Sequence, residues 1–147
     1  MWRNRFESSE GRSANSHLMA IAKQALDGIG VKYRVSSDKQ LVAEFTMNGS
    51  HSMSLHMVML PKMIDVIFNS GISYTVGCAP GHMMEALLEC NQKLPFGAFR
   101  FFRTDDDLHV VCGAVVDPSI MDAAYIGRVV RDLADSTKQF VNAVRAS

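Results

Sequence analysis

The chain predicts an α+β fold in which an antiparallel sheet of about five strands is flanked by three helices, in the order α-β-β-β(-β)-α-β-β-α. Three observations carry this. An apolar stripe with helical spacing runs from Leu18 to Ile29. Strictly alternating segments follow it, and Ser52–Met59 is the cleanest of them. The second half, from Pro80 to Val144, then reads as an amphipathic helix, a β-hairpin written PFGAFRFFRTDDDLHVVCGAVV, and a long closing helix.

Residues 1–15 are rich in Ser, Arg and Glu without periodicity and are expected to form a disordered tail, leaving 16–147 as a single domain. Ser16 is a cap candidate for the first helix, whose face is Leu18, Ile21, Ala22, Ala25, Leu26 and Ile29, and Gly28 and Gly30 end it. Val31, Tyr33 and Val35 alternate with basic residues as a first strand, Ser36 to Lys39 turn, and Leu41 to Met47 form a second. Asn48-Gly49 then suits a hairpin turn. In the next strand Met53, Leu55, Met57 and Met59 share one face, with Ser52, Ser54, His56 and Val58 on the other. Pro61 breaks it, Ile64, Val66 and Phe68 propose another strand, and Ile72 to Val76 reads equally as strand or loop.

Pro80 suits the opening of a helix with Met83 or Met84, Leu87, Leu88 and Leu94 as its apolar face. In the hairpin Phe99 and Phe101 lie on one side of the first strand and Arg100 and Phe102 on the other. Thr104 to Asp107 make its turn, and Leu108, Val110, Cys112 and Ala114 face the core on the return. The last helix starts after Pro118, capped by Ser119 or Asp117, with a stripe from Ile120 through Ile126, Val130, Leu133 and Phe140 to Val144. Gly97 and Gly113 suggest bulges or close packing in the strands.

At 147 residues the chain suits one domain and buries enough surface to need no staple. Lys+Arg and Asp+Glu balance at 15 each, so the chain lacks the positive footprint of a nucleic-acid binder and has little self-repulsion opposing association. Cys78, Cys90 and Cys112 are odd in number, which fits a reducing compartment. No leader-like apolar segment opens the chain and no run of about 18 apolar residues occurs, so a cytoplasmic protein without a membrane partner is expected.

The chain has no nucleophile elbow, no phosphate loop and no clustered metal ligands, and it is expected to be no enzyme and to carry no cofactor. Cys78, His82 and Cys90 form the strongest metal alternative, yet zinc wants four converging ligands in paired short spacings. His51, Met53, His56, Met57 and Met59 offer soft donors for Cu(I), but their alternation describes a core-facing strand equally well. His109 and Cys112 fall on opposite faces of one strand, which separates base from thiol. Asp105, Asp106 and Asp107 lack the further oxygens of a calcium loop and suit a solvated turn.

The succession of a helix ending LLECNQKL, the hairpin PFGAFRFFRTDDDLHVVCGAVVD and a capped amphipathic helix resembles the YbjN domain family. A Val-Lys-Tyr-Arg-Val strand directly after the first helix fits the same pattern, and the resemblance spans Leu18 to Val144. It implies a fold similar to class I type III secretion chaperones, whose members are mostly dimeric or partner-binding, and some YbjN proteins are described as regulatory factors. The family offers no catalytic motif to carry over.

Phe96 to Phe102 holds four phenylalanines on both faces of one strand. An apolar residue on the face that should be wet requires cover, either from a helix of this chain or from a second protein. Phe102, with Val111 and Val115 across the hairpin, is the candidate partner contact, along with exposed parts of the helix from Pro80 to Leu94. The expected function is a non-catalytic adaptor, chaperone-like or regulatory, that docks a protein partner or client and forms a homodimer. A small-molecule or metal-binding sensor domain is the alternative.

Overall fold

Six strands form one antiparallel sheet in the order β1-β2-β3-β4-β6-β5 in the structure of the protein, a computed structural model that describes residues 2–47 and 51–145. Along the chain these are α1 (Trp2–Gly28), β1 (Arg34–Ser37), β2 (Gln40–Thr46), β3 (Ser52–Met59), β4 (Ile64–Thr75), α2 (Gly81–Lys93), β5 (Ala98–Thr104), β6 (Asp107–Val116) and α3 (Ala123–Arg145). The α+β class and element order are as expected, with six strands where about five were read. The Asn48-Gly49 turn lies outside the described residues.

Alternation decides which side of each strand meets the helices. Met53, Leu55, Met57 and Met59 of β3 are all buried, and they pack in one core with Leu18, Ala22 and Leu26 of α1. Phe68 of β4, Phe99 of β5 and Cys112 of β6 join the same core, as do Met83 of α2 and Phe140 of α3. Phe140 meets Phe99 with ring centroids 5.2 Å apart. The four methionine and leucine positions of β3 are therefore core filling, and His56 points the other way.

Three local readings are corrected and one left open is settled. Helix α1 begins at Trp2 rather than Ser16; a helix already anchored by its buried turns extends at one hydrogen bond per residue without a cap. The first strand is Arg34–Ser37 rather than Val31–Val35, and Val31 and Tyr33 instead pack half-buried against the core. The residues Ile72 to Thr75 belong to the second half of β4. There Gly71 adopts φ 75°, Ser70 donates to the Val110 carbonyl at 2.7 Å, and its hydroxyl accepts the Ile72 N–H at 3.1 Å. A buried serine thus takes over ladder bonds that the bulge removes, and the strand resumes. Helix α3 is capped by Asp122, whose Oδ1 accepts the Tyr125 N–H at 2.7 Å; Asp117 instead holds the preceding loop through Ser119. That leaves Ile120 outside the helix and 79% exposed.

Candidate docking face

The hairpin register places the three candidate contacts on one side of the sheet. Phe102 pairs with His109 and Arg100 with Val111, while Val115 pairs with Asp65 of β4. Odd-numbered residues of β6 therefore share a face with Arg100 and Phe102, opposite the core-facing Val110, Cys112 and Val116. The helices' buried residues pack into the single core on that opposite side, so among the described residues no helix covers Phe102, which is 59% exposed, or Val115, at 51%. Cover by the chain's own helix, one of the two options read from sequence, does not occur.

Val111 behaves differently. It shares the open face but is only 5% exposed, because it lies mid-sheet between Asn69 and Arg100. Val42 on β2 is equally enclosed beside His56. The imidazole of His56 is fixed by two neighbours, accepting from the Gln40 amide at Nδ1 (2.9 Å) and donating from Nε2 to Ser54 Oγ (3.1 Å). Apolar residues on this face are thus interleaved with short polar groups that bond to one another.

Strand β5 is an edge of the sheet, and one of its residues is closed from outside. Asn91 of α2 accepts the Phe99 N–H at 2.6 Å and donates to the Phe99 carbonyl at 3.3 Å, acting as a strand neighbour would. Both backbone groups of Phe99 therefore point away from β6, and alternation turns those of Phe101 and Arg103 the same way. Gly97 sets the start of this edge. Its φ is 79°, and a Cβ there would come within 2.5 Å of the Gly113 carbonyl oxygen, so only glycine lets the chain enter β5 so close to β6. Next to the edge, α2 buries Met83 and Leu87 and leaves Met84 38% and Leu88 61% exposed.

Among the described residues no group of three or more His, Cys, Asp or Glu side chains is arranged so as to hold a metal ion. Cys78 is exposed, Cys90 half-buried and Cys112 buried. Burial pushes the Cys112 thiol from 9.0 up to about 12, so it stays protonated at neutral pH. His109, on the other face, contacts Thr104 at 3.0 Å instead.

Sequence reasoning missed two residues. Asn91 carried no signal, because a polar residue near a helix end is ordinary and its partner is eight positions away. Asp65 was not singled out at all; only the pairing shows that Val58 and Val115 flank it on either side.

No family model matches the chain, and no curated protein does. Solved structures do. YbjN of E. coli, described as a candidate transcription regulator, shares 13% identity over 87% of this chain and 92% of its own, with a TM-score of 0.59. A chain of the heterodimeric complex ExoU-SpcU from the type III secretion system of Pseudomonas aeruginosa gives 16% identity, coverage of 84% and 96%, and a TM-score of 0.52. An uncharacterised protein from Methanothermobacter thermautotrophicus gives 10%, coverage of 90% and 97%, and 0.51. The chain thus has a YbjN-like fold, similar to that of secretion chaperones.

Proposed function

We propose that this chain is a non-catalytic adaptor, chaperone-like or regulatory, that works as a homodimer and docks a protein segment through apolar contact. The observation that carries the reading is the uncovered sheet face with Phe102 and Val115 standing out of it, beside an edge strand with outward backbone groups. Exposed apolar residues next to a free edge favour a partner, since an edge strand left bare is a template for another chain. The shared fold with a component of the heterodimeric ExoU-SpcU complex is in keeping with protein binding. Balanced charge speaks against a nucleic-acid partner, and three free cysteines suit the cytoplasm. Among the described residues no helix is long and apolar enough to cross a membrane.

For a dimer formed through this edge, we infer one register. Asn91 already occupies Phe99, so a second β5 has Phe101 and Arg103 to bond. Antiparallel pairing about a two-fold axis then opposes Phe101 to the partner's Arg103 and Phe102 to the partner's Phe102. The last pair lies in a non-hydrogen-bonded position with Cα atoms about 4.5 Å apart, where aromatic rings gain contact. Guanidinium-on-ring contact between Arg103 and the partner's Phe101 favours the same register.

Sedimentation equilibrium of the protein and of Phe102→Glu and Val115→Glu tests this. The reading expects a dimer for the parent and a folded monomer for Phe102→Glu, with Val115→Glu still dimeric but impaired in partner capture. Dimerisation and capture unchanged in both variants contradict it.

A further inference from the structure

We propose that the open face of the sheet holds an extended segment of a protein partner through one basic side chain of that segment, which meets Asp65. This rests on the adaptor reading above and names the chemistry of its partner. Asp65 sits mid-sheet on β4, with Val58 directly across on β3 and Val115 directly across on β6. Ile67, two residues along, completes an apolar surround. Its Oδ1 is buried and has no hydrogen-bond partner among the described residues. A carboxylate oxygen withdrawn from water without a donor destabilises the fold, and the group that relieves it best is a cation with N–H donors.

Shape agrees with charge. Ile67 pairs with Gly113, and Gly113 with Ala98, so on the β5 side of Ile67 this row carries no side chain larger than a methyl group. Gly113 cannot carry a side chain there, because a Cβ would lie 2.8 Å from the Val66 carbonyl oxygen. Ile67 lies two residues along β4 from Asp65, which is the same-face repeat of an extended chain. A segment laid along β4 with Arg or Lys at one position and an apolar residue two further on therefore sets the first against Asp65 and the second against Ile67. Arg suits the site better, since its planar fork brings two donors to one carboxylate.

The test uses labelled nine-residue peptides that alternate valine and threonine, with Arg, Gln or Glu at the centre, titrated by fluorescence anisotropy. The intact protein is expected to bind the Arg peptide about tenfold more tightly than the Gln or Glu peptide, and Asp65→Asn to bring Arg down to the Gln level. Asp65→Val, which removes the orphan acceptor, is expected to raise the Tm by about 3 °C. Equal binding of the Arg and Gln peptides overturns the role of Asp65 while leaving apolar docking in place. Failure of the intact protein to bind any peptide overturns this inference, whereas the adaptor reading stands or falls on the Phe102 and Val115 variants. A monomeric Asp65→Asn protein reassigns the face to a second copy of the chain, and a lowered Tm for Asp65→Val makes the carboxylate a structural group; either result also overturns it.

Discussion

Cys112 lies on the core face of β6, and burial raises its thiol from 9.0 to about 12, with a hydrogen bond to Thr137 acting in the opposite direction. A raised folded-state pKa gives a contribution fully present below the unfolded value and lost as pH climbs through the folded one. Stability from this group is therefore constant at neutral pH and falls between about pH 9 and 12, where the unfolded chain releases the proton first. A Cys112→Ala variant should show a shallower alkaline decline in a pH series of chemical denaturation. At pH 8 a thiol reagent is expected to label exposed Cys78 within the mixing time and Cys112 only on unfolding. Asp65 is the opposite case, a carboxylate oxygen buried without a donor, and its predicted gain in stability on replacement by Val follows from that. Alternation alone identified Cys112 as a core residue in the sequence. The predicament of Asp65 was invisible, since it depends on Val58 and Val115, which are 7 and 50 positions away and meet it only through strand pairing.

Among the elements, β5 illustrates how an edge is managed. One amide side chain closes the backbone of Phe99, and the backbone groups of Phe101 and Arg103 are left open. Asn91→Ala removes both bonds, and a loss of about 1–2 kcal/mol in urea unfolding is expected. Helix α1 poses a different question. Its first buried side chains among those described are Leu18 and Met19, so tertiary packing anchors it from there on. Amides of residues 2–15 are expected to exchange rapidly and those after Leu18 slowly in a hydrogen-exchange measurement. The interiors of elements were legible because apolar period and burial coincide, as in β3. Their ends were not: the α3 cap is Asp122 rather than Ser119 or Asp117, because three acceptors compete within six residues and the loop geometry selects one. Continuation of β4 past Gly71 was undecidable in the same way, since it depends on Ser70 reaching a strand 40 residues later.

For the molecule as a whole, two layers leave one side of the sheet without helices. A fold of this kind normally makes that side polar, and here His56, Ser54, Asn69 and Glu44 do so in part. Phe102 and Val115 break the rule, and they were visible in the sequence as apolar residues at wet-face positions. That no helix among the described residues covers them was not visible, since the neighbours of a strand are set by the β4–β6 pairing that reaches over α2 and β5. Sheet order also turned one of the three candidate residues, Val111, into an enclosed one, so charged substitution there tests folding rather than docking. The central claim, assembly through the β5 edge, is tested most directly by amide exchange at Phe101 and Arg103 across a range of protein concentrations. Protection of both that rises with concentration and vanishes in Phe102→Glu is the predicted result. Rapid exchange of both at every concentration, in a protein that is nonetheless folded, contradicts it.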